Sequence, residues 1–321
     1  MELRQLGRTG LRVSSLGLGT MTWGRDTDEG DAGEQLRDFV DAGGNLVDTA
    51  ASYGGGASEE IIGRLLGSTI SRDDVLLCTK AGIRATAHGA SIDASRSSLL
   101  DSLDASLARL GVDHVDVFCV QSPDPRTPLT ETLDALRRAV DSGRARYVAL
   151  ANHPGWQVGR ASALLEAHGL ELAAAQVEYS LLERGVEREV VPAATDLGVG
   201  VLAWSPLGRG VLTGKYRRTI PADSRAASTH LAGFVQPYLD SDCTSIVEAV
   251  ATAAEGLERP TLEVALAWLL GRPGVSSALI GPRTPAQLRS CLPAAELDLP
   301  PALAGALDDI SALQLGYPER R

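Results

Sequence analysis

Eight short apolar runs, each separated from the next by a stretch of helical periodicity, constrain this chain more than any other feature. The runs are Leu16–Gly19, Leu46–Thr49, Val75–Lys80, Val115–Gln121, Tyr147–Asn152, Leu172–Glu178, Val199–Ser205 and Ser276–Ile280. Helix-period segments fall near residues 30–42, 58–67, 91–110, 128–143, 155–168 and 186–197, with Thr261–Leu270 and Thr284–Leu292 toward the end. Runs such as Val115-Asp116-Val117-Phe118-Cys119-Val120 are almost wholly apolar, which suits a parallel sheet buried on both faces. Eight alternating units predict an α/β fold, a (β/α)8 TIM barrel. A doubly wound parallel sheet satisfies the same alternation.

Three pieces lie outside it. Gly7-Arg8-Thr9-Gly10 predicts a turn that folds the amino terminus into a β-hairpin before the first strand. The connection over about 208–241 is rich in Gly, Arg, Ser and Pro and long enough to serve as a lid. Pro300–Leu315 predicts an extra C-terminal helix. With no linker and no repeat, residues 1–321 are expected to form a single domain.

Composition narrows the function. A formal charge of −11 argues against a nucleic-acid partner, so an anionic ligand would need a local basic pocket. Met1–Gln5 lacks the apolar core of a signal peptide, and no run approaches the roughly 18 apolar residues of a membrane span. A cytoplasmic protein with no membrane partner is expected. Cys78, Cys119, Cys243 and Cys291 show no metal-ligand spacing and read as free thiols, with Cys78 and Cys119 inside apolar strands. No metal site is expected.

In a barrel, the carboxyl ends of the strands converge on one pocket. Those ends are Asp48, Lys80, Gln121, Asn152, Gln176 and Ser205, with Tyr53 on the loop after Asp48. A lysine ending Val75-Leu76-Leu77-Cys78-Thr79-Lys80 would be partly desolvated and would need a carboxylate, for which Asp48 is the nearest candidate. An ammonium beside a phenol lowers the phenol's pKa, making Tyr53 a usable general acid near neutral pH. Taken singly, each has a structural explanation: Lys80 could snorkel to solvent, Gln121 could tie down a loop, and Asn152 could cap the next helix.

Together these residues resemble the aldo-keto reductases, over nearly the whole chain and in order. The matching stretches begin with Leu16-Gly17-Leu18-Gly19-Thr20 and Trp23-Gly24, then Val47-Asp48-Thr49-Ala50, Tyr53-Gly54 and Ser58-Glu59. Ser106–Asp113, Gln176-Val177-Glu178-Tyr179-Ser180, Ser205-Pro206-Leu207 through Leu212-Thr213-Gly214-Lys215-Tyr216, and Ile280-Gly281-Pro282-Arg283-Thr284-Pro285-Ala286-Gln287-Leu288 complete the set. The resemblance implies a (β/α)8 barrel that binds NADPH without a Rossmann motif and transfers hydride to an aldehyde or ketone. Accordingly, Gly208-Arg209-Gly210 fails the GxGxxG spacing, and Gly214-Lys215-Tyr216 is not a P-loop.

By the resemblance, Tyr53 is the proton donor, Lys80 tunes it and Asp48 holds Lys80, with Gln121 beside them. Asn152 and Gln176 would grip the nicotinamide carboxamide, Trp204 would stack on the ring, and Gly19 and Thr20 would border the cofactor. The pyrophosphate would lie near Ser205, Pro206, Leu207, Gly210 and Lys215. Arg283 would pair with the adenosine 2′-phosphate beside Gly281, and Gln287 would reach the adenine.

Three departures stand out. Gln121 occupies the place of the family's histidine, Ala151 that of a serine before the carboxamide-binding Asn152, and Cys291 that of an asparagine. An amide can hydrogen-bond a carbonyl oxygen but cannot become imidazolium. Of the five histidines, His153 is nearest the pocket and could line its mouth, whereas His88, His114, His168 and His230 fall in loops or at helix ends. The substrate pocket would draw on Trp23, the Gln121–Arg126 turn and the 208–241 connection.

The leading expectation is an NADP-dependent carbonyl reductase or alcohol dehydrogenase acting on a small carbonyl or sugar-like compound. The alternative is a weakly or non-catalytic NADPH-binding redox sensor, like the potassium-channel β subunits that resemble this family and also lack the histidine. Nothing in the sequence specifies an oligomer.

Overall fold

The computed structural model describes residues 1–86, 89–222, 224–228, 231–314 and 316–317. An amino-terminal hairpin comes first, β1 (Leu3–Gln5) antiparallel to β2 (Arg12–Ser14). The chain continues through β3 (Leu16–Gly19), α1 (Glu29–Asp41), β4 (Leu46–Asp48), α2 (Ala57–Leu65) and β5 (Leu76–Ala81). A second antiparallel hairpin, β6 (Ile83–Thr86) with β7 (Gly89–Ile92), precedes α3 (Arg96–Leu110). Next come β8 (Val115–Val120), α4 (Leu129–Asp141), β9 (Ala145–Ala151), α5 (Gly155–Glu166), β10 (Leu172–Glu178), α6 (Val190–Leu197) and β11 (Gly200–Trp204). The last elements are α7 (Ala232–Val235), α8 (Ser241–Gly256), α9 (Thr261–Leu270), β12 (Val275–Ile280), α10 (Pro285–Cys291) and α11 (Pro301–Ile310).

Strands β3, β4, β5, β8, β9, β10, β11 and β12 pair in parallel, in chain order, and β12 returns to β3 to close the barrel. The expected (β/α)8 architecture, the leading hairpin and the trailing helix are all present. The helix ends at Ile310, and Leu315, to which the sequence reading extended it, lies outside the described residues.

Strand alternation divides the core in two. Leu16, Leu18, Val47, Leu77, Phe118, Val120, Val148 and Leu150 face the helices. Leu46, Cys78, Val117, Cys119, Ala149, Ala174, Leu202 and Leu279 fill the barrel interior, where Leu6 and Val13 of the hairpin join them. The hairpin therefore plugs one end of the barrel. Arg8 N–H donates to Gly198 O at 2.8 Å, and a Cβ on Gly7 would lie 2.5 Å from that same oxygen, so only glycine fits the plug. Asp116, the one charge in the β8 run, accepts from Arg72 at 2.7 Å and from Leu77 N–H at 2.8 Å, which compensates its burial.

Two elements differ from expectation. The helix predicted from residue 91 begins at Arg96, capped by Ser95, because residues 89–92 pair with 83–86 instead. Helix α8, capped by Asp240, had no counterpart in the predicted set. The connection before it contains short helical turns at Gly208–Thr213, Arg225–Ala227 and Gln236–Tyr238 besides α7.

Candidate active site

The alternation that fills the barrel with Leu46, Cys78, Ala174 and Leu202 also aims their next same-face neighbours, Asp48, Lys80, Gln176 and Trp204, at the barrel axis. Each stands at or near the carboxyl end of its strand, and all four line one cleft of about 480 Å³. After β4 the chain must turn sharply into α2. Gly54, Gly55 and Gly56 make that turn at φ of 58°, 67° and 105°, leaving Tyr53 at its lip.

Lys80 Nζ donates to Asp48 Oδ2 and to Thr49 O, both at 2.7 Å, and lies 3.4 Å from Tyr53 Oη. The side chains of Lys80 and Asp48 are only 2% and 5% exposed. Gln176 Nε2 donates to the other carboxylate oxygen, Asp48 Oδ1, at 2.8 Å. Burial alone would pull the ammonium's pKa down, but Asp48, with help from Tyr53 and Cys78, pushes it above the ordinary lysine value, so Lys80 stays charged.

For Tyr53 the balance corrects the sequence expectation of a lowered pKa. Burial is the largest influence and raises the phenol above its usual value, Lys80 pulls it down, and Asp48 adds to the rise. The phenol is thus held protonated at neutral pH, beside a cation placed to receive its conjugate base. Cys78 and Cys119 lie buried beneath this group; burial lifts the Cys78 thiol well above its usual value and the Cys119 thiol to about 12, so neither is a nucleophile.

Gln121 is held on three sides. Its N–H donates to Ala81 O at 2.8 Å, its carbonyl accepts from Asn152 Nδ2 at 2.8 Å, and its Oε1 accepts from Ser52 Oγ at 3.0 Å. Asn152 in turn accepts from Trp204 Nε1 at 3.0 Å. Asn152, Ser205 and Arg209 adopt left-handed backbone conformations, with φ of 62°, 51° and 57°. These are three of the four non-glycine residues with positive φ among the described residues, and all three line the cleft. Such conformations persist where surrounding contacts enforce them, commonly at binding sites.

Arg209 pins the long connection over the cleft. It makes a two-pronged ion pair with Glu178 at 2.7 and 2.6 Å, donates to Phe234 O at 2.5 Å, and lies over the rings of Phe234 and Tyr238 at 4.0 and 4.9 Å. Phe234 consequently reaches the cleft wall. Part of the segment expected to act as a lid, residues 223, 229 and 230, lies outside the described residues.

Of the residues expected around the cofactor, Gly19, Asn152, Gln176, Trp204, Ser205, Pro206, Leu207, Gly210, Lys215, Gly281, Arg283 and Gln287 line this cleft together with Asp48. Thr20 does not. It is fully buried, and its hydroxyl contacts Asp48 O at 3.0 Å and Ser58 Oγ at 2.7 Å, which places it among the braces of the β4 turn. Trp23 is also withdrawn from the expected pocket, fully buried in the helix-side core, and Met21 and Thr22 line the cleft instead. His153 is buried with Nδ1 2.8 Å from Ala151 O and does not line this cleft, because the left-handed Asn152 breaks the alternation before it. His88 and His230 lie outside the described residues.

Leu262, Ser290 and Cys291, from α9 and α10, also border the cleft and had no distinguishing sequence signal as pocket residues beyond the noted position of Cys291. Among the described residues, no group of His, Cys, Asp and Glu could hold a metal, and no helix is long and apolar enough to cross a membrane.

Comparison with known proteins supplies an independent reading. The model of the aldo/keto reductase family matches residues 15–312. The chain is 36% identical to the uncharacterized oxidoreductase YrpG of Bacillus subtilis, over 97% of this chain and 96% of that one. It is 35% identical to a probable voltage-gated potassium channel subunit beta of Oryza sativa subsp. japonica, over 100% and 98%. With the L-glyceraldehyde 3-phosphate reductase of Escherichia coli (strain K12) it shares 34%, over 90% and 86%.

Proposed function

The chain belongs to the aldo/keto reductase family, and from that premise we propose that it is an NADPH-dependent reductase of aldehydes or ketones in which Tyr53 is the proton donor. One observation carries this reading. A buried, charged Lys80, fixed by Asp48 and Thr49 O, stands 3.4 Å from the hydroxyl of a tyrosine that opens onto the cleft.

The residues present fit the cofactor. Gln176 keeps its Oε1 and a second N–H after bonding Asp48, and Asn152 keeps one N–H and one lone pair, enough for each to engage a carboxamide. Trp204 presents its ring to the same space, and Lys215 and Arg283 bring the positive charge that a nucleotide phosphate requires in a protein of net charge −11. When bound, the dihydronicotinamide supplies hydride to the carbonyl carbon.

The chain's own residues handle the proton. Tyr53 Oη donates to the carbonyl oxygen as negative charge develops there, and the Lys80 ammonium stabilises the phenolate left behind. Asp48 keeps Lys80 in place, while Gln121 Nε2 offers a neutral donor where the family's histidine would stand. No side chain in this reading must ionise near pH 7 before the step.

Gln121 favours a second reading, an NADPH-binding redox sensor that turns over slowly, and a relative named as a channel subunit beta is compatible with it. Absorbance at the dihydronicotinamide band, followed with a panel of aldehydes and ketones, separates the two. Turnover abolished in Tyr53→Phe supports the reductase. Tight NADPH binding with no oxidation by any carbonyl supports the sensor.

A further inference from the structure

Ser52 stands immediately before the proposed proton donor, and its hydroxyl reaches across to Gln121 Oε1 at 3.0 Å. Every other polar group of Gln121 but one is also engaged: the backbone N–H by Ala81 O, and the carbonyl by Asn152 Nδ2. The exception is Nε2, which donates to no described residue, on a side chain that lines the cleft. A glutamine amide has two orientations of nearly equal shape and opposite polarity. One aims donors at a carbonyl oxygen and the other aims an acceptor, which would repel it.

We infer that Ser52 is a positioning residue that anchors the Gln121 amide through Oε1, so that Nε2 presents N–H donors to the carbonyl oxygen beside Tyr53. This rests on the reading of the cleft as a carbonyl-reducing site. The serine hydroxyl, donating to Oε1, leaves the nitrogen facing the cleft. Two neutral donors, the phenol and the amide, then flank the oxygen where charge develops. Ser52 touches no reacting atom and acts only through Gln121.

The test has two arms. In the first, the Gln121 side-chain amide is followed by nuclear magnetic resonance in 15N-labelled protein, its signal identified by its loss in Gln121→Glu. The amide should be as rigid as the backbone in the parent, mobile in Ser52→Ala, and rigid again in Ser52→Thr, which restores the hydroxyl. In the second, kcat and KM are measured for one small aldehyde. Ser52→Ala should lower kcat by about fivefold to thirtyfold with the NADPH dissociation constant unchanged, and Ser52→Thr should recover most of the loss.

Made in a Gln121→Ala background, Ser52→Ala should cost nothing further, because its partner is gone. An amide equally rigid without the hydroxyl would overturn the inference, as would an equal loss of kcat in both backgrounds. If the parent reduces no carbonyl at all, the proposed reductase function fails, and the resonance arm alone still decides whether Ser52 orients Gln121.

Discussion

Replacing Lys80 by methionine tests whether the buried pair is a unit. The change removes an ammonium that is 2% exposed and leaves the Asp48 carboxylate, 5% exposed, with the Gln176 N–H but no cation beside it. Breaking such a pair from one side costs about 3–5 kcal/mol, because the surviving charge remains in a poor solvent. For a domain of 321 residues, with an unfolding entropy of about 2.1 cal/mol/K per residue, that corresponds to a fall in Tm of roughly 4–7 °C. The double variant Asp48→Asn with Lys80→Met removes both charges and keeps an acceptor for Gln176, so it should recover to within about 1 kcal/mol of the parent. Calorimetry and urea unfolding of the cofactor-free proteins measure both. A single variant as stable as the parent, or a double variant no better than the single, would refute the argument that Lys80 is present to balance Asp48.

Three further outcomes are expected. Arg283→Ala should erase most of a preference for NADPH over NADH that one charge-assisted contact sets at roughly ten- to a hundredfold; equal affinities of the parent for the two cofactors, by fluorescence titration, would count against the assignment. Gln121→His should raise kcat/KM for a small aromatic aldehyde by at most about 10²-fold, with a new ionisation in the histidine range, since Tyr53 already supplies the proton; a loss, or no new ionisation, would mean that the amide is adapted to its own substrate. Burial lowers the pKa of His153, against a smaller opposing pull from Ala151 O, so the unfolded chain binds the extra proton first as pH falls below about 6.5. Its contribution to stability is present above that pH and lost as pH drops toward the folded-state pKa, and His153→Asn should flatten the decline of Tm between pH 7 and pH 5; an unchanged slope would rule His153 out.

The barrel was legible because its signal is simple. A strand buried on both faces must be apolar along its length, so eight such runs survive as eight peaks in the sequence, and the polar residues that end them stand out. Asp48, Lys80, Gln176 and Trp204 could be placed on one cleft because side-chain alternation carries through to the last strand residue. Beyond that residue the rule lapses. Trp23 and His153 lie close in sequence to the mouth, yet both are buried away from the cleft, the latter behind a left-handed Asn152 that no local pattern announced. Residues 91–92, the end of the β6–β7 hairpin, fall inside the helix expected from the sequence because such short strands lack strong alternation. The raised pKa of Tyr53 was illegible for a different reason: the adjacent cation can be guessed from sequence, but the amount of burial that outweighs it cannot.

The central claim is that Tyr53 delivers the proton while other groups hold the cofactor. Tyr53→Phe removes one hydroxyl whose polar neighbour is Lys80, and Lys80 retains Asp48 and Thr49 O. The most direct measurement is a single-turnover reaction of the NADPH complex with an aldehyde that the parent reduces, run beside a binding titration of the same two proteins. The account predicts oxidation slowed by about 10²-fold or more, with NADPH affinity unchanged. Oxidation at the parent's rate in Tyr53→Phe would contradict it and place the proton donor elsewhere.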